Sequence, residues 1–131
     1  MLLDTSGLLC YLHRDEVQHE DAVTFFKSAP LRLTHNYVLA EFVPLCQVRG
    51  LQRVATLAFV TELISNPHVE IVWVDESLHR TALVLLQERL DKTYSLCDAV
   101  SFVLMRRRGI TDALTTDRHF EQEGYVRLLH S

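Results

Sequence analysis

Ile110-Thr111-Asp112-Ala113-Leu114-Thr115-Thr116-Asp117 runs from apolar and β-prone residues into an acid, and Arg118-His119-Phe120 follows. The stretch reads as a short strand over Ile110 to Thr116 whose carboxyl end presents Asp117, with a short helix over Arg118 to Glu123 behind it. The first residues repeat the plan. Leu2-Leu3 is a very short buried strand, and Asp4-Thr5-Ser6-Gly7 turns into a helix carrying Leu8, Leu9, Tyr11 and Leu12. Asp4 and Asp117 thus both stand where strands end, the edge at which open α/β sheets bind ligands.

Between these two strands, helices and strands alternate. A helix over Val17 to Ala29 places Ala22, Phe25 and Phe26 at helical spacing before Pro30 stops it and Leu31-Arg32-Leu33 forms a strand. Thr34 or Asn36 is predicted to cap the next helix, which carries Val38, Leu39, Glu41, Phe42 and Leu45, is kinked at Pro44 and ends at Gly50. Leu51 to Ser65 pairs with it, and Asn66-Pro67 breaks the pair before Val69 to Val74, the clearest strand. A helix over Ser77 to Leu90 is predicted to be amphipathic, with Leu78, Ala82, Leu85, Leu86 and Leu90 on its apolar face. Ser95 then caps a helix containing Asp98 that ends in Arg106-Arg107-Arg108 and stops at Gly109, and Val126 to Leu129 is a last strand. The alternation predicts an α/β sandwich with a mostly parallel central sheet, built by residues 1–131 as one domain.

Composition agrees with a compact globular chain: 48% of residues are hydrophobic, with only 4 Gly and 3 Pro. No apolar run approaches the roughly 20 residues that span a bilayer, and the start lacks the basic-then-apolar plan of a signal peptide, so a cytoplasmic protein is expected. Cys10, Cys46 and Cys97 are widely spaced among apolar neighbours and read as buried thiols, not as a disulfide framework or zinc knuckle. The formal charge of −4 opposes nucleic-acid binding only while it is spread evenly. Four carboxylates sharing one metal pocket would account for all of it and leave the remaining surface near neutral.

Four acids keep apolar or β-prone company: Leu3-Asp4, Ala40-Glu41-Phe42, Cys97-Asp98-Ala99 and Thr116-Asp117. Ionised carboxylates are seldom buried unpaired, so a fold that gathers these four needs a proton or a cation among them. Oxygen-only ligands select a hard ion, magnesium or manganese. Such an ion lowers the pKa of bound water and offsets charge on a phosphodiester, which is hydrolytic phosphate chemistry.

Leu3-Asp4-Thr5-Ser6, Glu41 in a mid-chain helix, Ser95-Leu96-Cys97-Asp98-Ala99 and Leu114-Thr115-Thr116-Asp117-Arg118-His119-Phe120 together resemble the PIN-domain ribonuclease family, with the VapC-like toxins of type II toxin-antitoxin systems within it. The resemblance covers essentially the whole chain. It implies a three-layer α/β/α sandwich with about five strands, and RNA cleavage dependent on Mg2+ or Mn2+. It further implies a cognate antitoxin and a homodimer. Carried over position by position, Asp4, Glu41 and Asp98 match the family's acidic metal site, and Asp117 matches its more variable fourth position. Thr5, Ser6 and Thr116 stand beside these acids, where hydroxyls can orient a carboxylate or a bound water.

Each residue also has a plain structural reading. Asp4 can cap the first helix, Glu41 can be a solvated glutamate, Asp98 can complement a helix dipole, and Asp117 can cap the short helix after it. Asp112 reads as a strand-start or turn residue and is left out of the site. His119 reads as a solvated histidine of a surface helix, and the 7 histidines show no metal-ligand spacing. Arg106 to Arg108 read as a solvated helix end, and Arg49, Arg53 and Lys92 are unranked candidates for RNA contact. Leu57, Val60, Leu63 and Ile64 are assigned to the core before an interface. Two other functions compete: a catalytically silent PIN-like binding module, and a phosphoryl-acceptor signalling domain with Asp75 as acceptor. The second lacks an acidic neighbour to Asp4 and any lysine after Lys92.

Overall fold

A computed structural model describes residues 1–130. Five parallel strands, β1 (Leu2–Leu3), β2 (Leu33–His35), β3 (Glu70–Val72), β4 (Asp112–Leu114) and β5 (Val126–Arg127), form one sheet in the order β3-β2-β1-β4-β5. Among the described residues seven helices accompany them: α1 (Thr5–Leu12), α2 (His19–Ser28), α3 (Asn36–Val48), α4 (Arg53–Ser65), α5 (Glu76–Gln87), α6 (Leu96–Arg108) and α7 (His119–Gln122). None of the described helices is long and apolar enough to cross a membrane.

β1 shows why the expected sandwich forms. Successive strand side chains point to opposite faces. Leu2 accordingly packs into the core beneath α5 and α6, whereas Leu3 packs into the core beneath α1, α2, α3 and α4; both are fully buried. Ala113 and Leu114 divide in the same way on β4. With apolar faces on both sides, the sheet is covered by helices above and below, as parallel sheets require.

The strands are shorter than their apolar runs. Val69 to Val74 is a three-residue strand at the sheet edge, where Trp73 is largely exposed, and Ile110 to Thr116 narrows to Asp112–Leu114. The second strand starts at Leu33 instead of Leu31, and α5 ends at Gln87, so that Leu90 falls in the turn beyond it and is exposed. Neither Thr34 nor Asn36 caps α3: His35 takes the N-cap position, the Thr34 hydroxyl donates to Leu3 O at 2.8 Å, and Asn36 Oδ1 accepts from Val74 N–H. Both side chains tie neighbouring strands together. Leu57 and Ile64 also depart from expectation, for they lie with Val54 along an exposed stripe of α4, and only Thr56 and Leu63 of that helix are fully buried. The three cysteines are free and buried, as their neighbours imply.

The strand order places the site. β1, β2 and β3 step outward in one direction, then the chain crosses back through α5 and α6 to lay β4 on the other side of β1. The reversal leaves a crevice outside the carboxyl ends of β1 and β4, and ligand sites of open α/β sheets sit at such switch points. Gly7 lets α1 start tight against this junction. A Cβ there would come within 1.8 Å of Leu114 O.

Candidate active site

Asp4 follows β1 directly and occupies the N-cap position of α1, yet its side chain makes no cap hydrogen bond. Its Oδ2 instead accepts from Thr115 Oγ1 at 2.7 Å, and its backbone N–H donates to Leu114 O at 3.2 Å. Thr115 is fully buried and has its hydrogen bonds complete. Its one proton goes to Asp4, while its oxygen accepts Asp117 N–H at 3.0 Å and faces Ser6 Oγ at 3.1 Å. Ser6 Oγ in turn accepts Thr116 N–H at 3.0 Å. The ends of β1 and β4 are therefore laced by hydroxyls, and the expected helper Thr116 contributes its backbone where Thr115 contributes its side chain.

α6 delivers Asp98 through a capping box. Ser95 Oγ accepts Asp98 N–H and Asp98 Oδ2 accepts Ser95 N–H, both at 3.0 Å, so the pair closes the helix start reciprocally. Asp98 does serve a structural end, but the same Oδ2 also lies 2.9 Å from His119 Nδ1. Asp117 is likewise double: its Oδ1 accepts His119 N–H at 2.9 Å, which starts the turn into α7, and it lies 3.5 Å from His119 Nδ1.

Asp4, Asp98, Asp117 and His119 line one open cavity of about 450 Å³, together with Glu41 and the hydroxyl residues Thr5, Ser6, Thr93, Ser95 and Thr116. All four sequence-designated acids face it. Asp4 and Asp98 are buried, Asp117 is half-buried and Glu41 is exposed at the mouth, less enclosed than its apolar neighbours suggested. Thr5 Oγ1 is buried and has no hydrogen-bond partner among the described residues.

The electrostatics record the crowding. Burial pushes the Asp4 carboxyl up to about 7, with the Asp98 and Asp117 charges adding to the effect and the Thr115 hydrogen bond opposing it. Glu41 is also raised, by partial burial first and by Asp98 second. Burial holds the Cys97 thiol, with Glu41, Asp4 and Asp98 nearby, well above its ordinary range, so it backs the site as an un-ionised apolar group.

His119 corrects the sequence reading. It is no free surface histidine: its Nδ1 faces Asp98 and Asp117, its Nε2 lies 3.1 Å from Thr93 Oγ1, and its ring meets Tyr94 edge-on at 5.2 Å. One ligand atom from each of Asp98, Asp117 and His119 lies within 4.8 Å of the others. Four carboxylates with one imidazole form a donor set that a divalent cation fits, and among the described residues no lysine or arginine lines the cavity to neutralise them.

Other candidates stand apart. Asp112 begins β4, exposed, at the opposite end of the strand from Thr115. Arg106 to Arg108 end α6, a helix whose start holds Asp98, and Arg108 grips Glu70 through two hydrogen bonds of 2.9 and 2.7 Å. Asp75, the acceptor required by a signalling domain, caps α5 by accepting Leu78 N–H at 2.8 Å and does not line the cavity.

The PIN domain family model matches residues 1–123. The 23S rRNA-specific endonuclease VapC20 of Mycobacterium tuberculosis, in strain CDC 1551 / Oshkosh and in strain H37Rv, is 31% identical over 129 residues, covering 98% of this chain and 97% of the relative. The crystal structure of Mycobacterium tuberculosis VapC20, a sarcin-ricin loop cleaving toxin, superposes with a TM-score of 0.87 at 28% identity, covering 99% of this chain and 98% of that one.

Proposed function

The chain belongs to the PIN-domain family, and from that premise we propose that it is a Mg2+- or Mn2+-dependent endoribonuclease of residues 1–131, the toxin of a type II toxin-antitoxin pair acting in the cytoplasm. One observation carries the reading: Asp4, Glu41, Asp98 and Asp117 converge on one cavity at the switch point of the sheet, with Asp4 raised to about 7 by burial and by the neighbouring acids.

Asp4, Asp98, Asp117 and Glu41 hold the cation and are the catalytic set. When bound, the ion supplies a more acidic water and offsets charge on the phosphodiester. Thr115 keeps the Asp4 oxygen aimed into the cavity, and Ser6 and Thr116 lock Thr115 in place. The Ser95 cap holds Asp98 at the start of a rigid helix, so the carboxylates are pre-set before RNA arrives. The open mouth, edged by Thr93 and Ser95 hydroxyls, admits a phosphodiester strand without a lid.

Val54, Leu57 and Ile64, exposed along one face of α4, support partner surfaces for a second copy or an antitoxin. Large ribosomal RNA, on which VapC20 acts, is the first substrate to test. The deciding experiment incubates purified protein with 23S rRNA and a mixed RNA pool, with Mg2+, with Mn2+ and with chelator, beside an Asp4→Asn/Asp98→Asn control. Discrete cleavage that needs both the metal and the two acids is expected. RNA left intact throughout, with no metal binding by calorimetry, would make the protein a silent binding module.

A further inference from the structure

We propose that His119 is itself a ligand of the cation, through Nδ1, and that this nitrogen makes the site favour Mn2+ over Mg2+. The inference rests on the metal-nuclease reading above and deepens it.

The geometry is that of a coordination edge. Neighbouring ligands on an octahedral ion with bonds of about 2.1 Å stand roughly 3 Å apart. His119 Nδ1 is 2.9 Å from Asp98 Oδ2 and 3.5 Å from Asp117 Oδ1. Two edges from Nδ1 are thus close to that spacing, the three groups offer ligand atoms within 4.8 Å of one another, and the remaining acids, Asp4 and Glu41, line the same cavity.

The ring is also held as ligating imidazoles usually are. A metal-bound histidine typically donates its other N–H to an oxygen that fixes tautomer and orientation. Nε2 stands 3.1 Å from Thr93 Oγ1; without a cation Nδ1–H donates to Asp98, and a bound cation would replace that proton, with Nε2–H donating to Thr93 and the Nδ1 lone pair turned to the ion. The Tyr94 ring supports one side of the imidazole, and the hydrogen bond from His119 N–H to Asp117 fixes its backbone. Nothing in a solvated helix residue calls for all three restraints.

Ligand chemistry sets the preference. Mg2+ takes oxygen ligands and gives up its water reluctantly, whereas Mn2+, although it too suits carboxylates, is a first-row transition ion that accepts an imidazole nitrogen more readily than Mg2+ does. Mn2+ accepts the carboxylates as Mg2+ does and gains from the nitrogen as well. His119 is the one histidine among the cavity's lining residues, so a nitrogen signal from a bound ion can be assigned.

Electron spin-echo spectroscopy of Mn2+-loaded protein reads the nitrogen directly, and Mg2+ competition against bound Mn2+ reads the preference. Imidazole nitrogen coupling is expected in the unmodified protein and lost in His119→Asn, whose amide can keep a hydrogen bond to Asp98. Mn2+ affinity is expected to fall about tenfold or more, since losing even a supporting partner of a ligand costs that much, while Mg2+ affinity changes less. His119→Gln is the second variant, and thermal unfolding confirms that each one folds. Mn2+ binding with no nitrogen coupling, coupling that persists in both folded variants, or equal losses for the two ions would overturn the ligand role and leave the nuclease reading standing. Failure of the unmodified protein to bind either ion would overturn both.

Discussion

Thr115 Oγ1 donates its only proton to Asp4 Oδ2 at 2.7 Å across 111 residues of sequence, and this bond ties the carboxyl ends of the two central strands into one acidic site. Its oxygen accepts Asp117 N–H and faces Ser6 Oγ, and Ser6 is the other hydroxyl near the same Asp4 oxygen, at a longer 3.5 Å.

Thr115→Val keeps the shape and removes that proton. A hydrogen bond to a charged group contributes about 1.5–3 kcal/mol, so metal-free stability at neutral pH is expected to drop by about 2 kcal/mol. Asp4 would rise further, because the hydrogen bond is what opposes its burial. RNA cleavage should therefore weaken at neutral pH and recover partly in more alkaline buffer. A pH–rate profile with an unmoved acid limb would show that Thr115 does not govern Asp4.

Asp4 and His35 bend stability in opposite directions. Asp4 is raised from 3.8 to about 7, so the folded protein takes up a proton between those values and loses stability as pH rises through them. His35, fully buried with Nε2 on Ser101 Oγ, is lowered by burial from 6.5 to about 3, so its contribution is lost as pH falls through that window. Each effect is on the order of 4 kcal/mol, and across the overlap they nearly cancel, with the raised Glu41 adding on the side of Asp4. Denaturant midpoints of the metal-free protein should be nearly flat in that overlap. Asp4→Asn should make them climb with pH, and His35→Gln should make them fall. Parallel pH curves for the two variants would refute this pairing.

Asp4→Asn should also uncouple stability from metal. At a concentration 100-fold above its dissociation constant, an ion that binds only the folded state stabilises by about 2.7 kcal/mol. Thermal unfolding of the unmodified protein should shift upward with Mn2+, while Asp4→Asn starts higher at alkaline pH, shifts little and cleaves no RNA. A full metal shift in the variant would remove Asp4 from the ligand set.

Gly7→Ala tests the close seat of α1 on β4. The new methyl would lie within 1.8 Å of Leu114 O, a backbone atom that cannot swing aside. Overpacking of this kind costs typically about 1–3 kcal/mol, and here the upper end is expected. Because Leu114 precedes Thr115, cleavage should fall more steeply than stability alone accounts for. Unchanged unfolding and activity would mean that α1 can lift from the sheet freely.

Much of this arrangement was legible because apolar and acidic residues alternate so abruptly. Leu2-Leu3 ending in Asp4 reads as a buried strand that stops at an acid, and Ser95 ahead of an apolar run marks where α6 begins, although the reciprocal bond from Ser95 N–H to Asp98 emerged only from the structure. Thr115 escaped notice because Thr116 lies one step away, and one residue reverses the side-chain direction at the end of a strand. Which of two adjacent threonines points inward depends on pairing with β1, a contact 111 residues distant. His119 was hidden for a similar reason: its partners Asp98 and Thr93 come from another part of the chain, and a four-residue helix carries no periodic pattern to reveal its facing. The α4 stripe misled because an apolar face looks the same from sequence whether the fold or a partner covers it.

The central place of β1 in the sheet bears on how the protein is made. β1 finds its β2 partner at Leu33, early in the chain, but the partner for its other edge, at Ala113 and Leu114 of β4, is made only near the end of synthesis. Non-local parallel pairing of this kind forms slowly and late. Asp4 meets Thr115, Asp117 and the α6 acid only at that closing step. A nascent chain still tethered to the ribosome, whose own RNA is the first substrate to test, thus carries scattered acids and no assembled centre until nearly the whole chain has been translated.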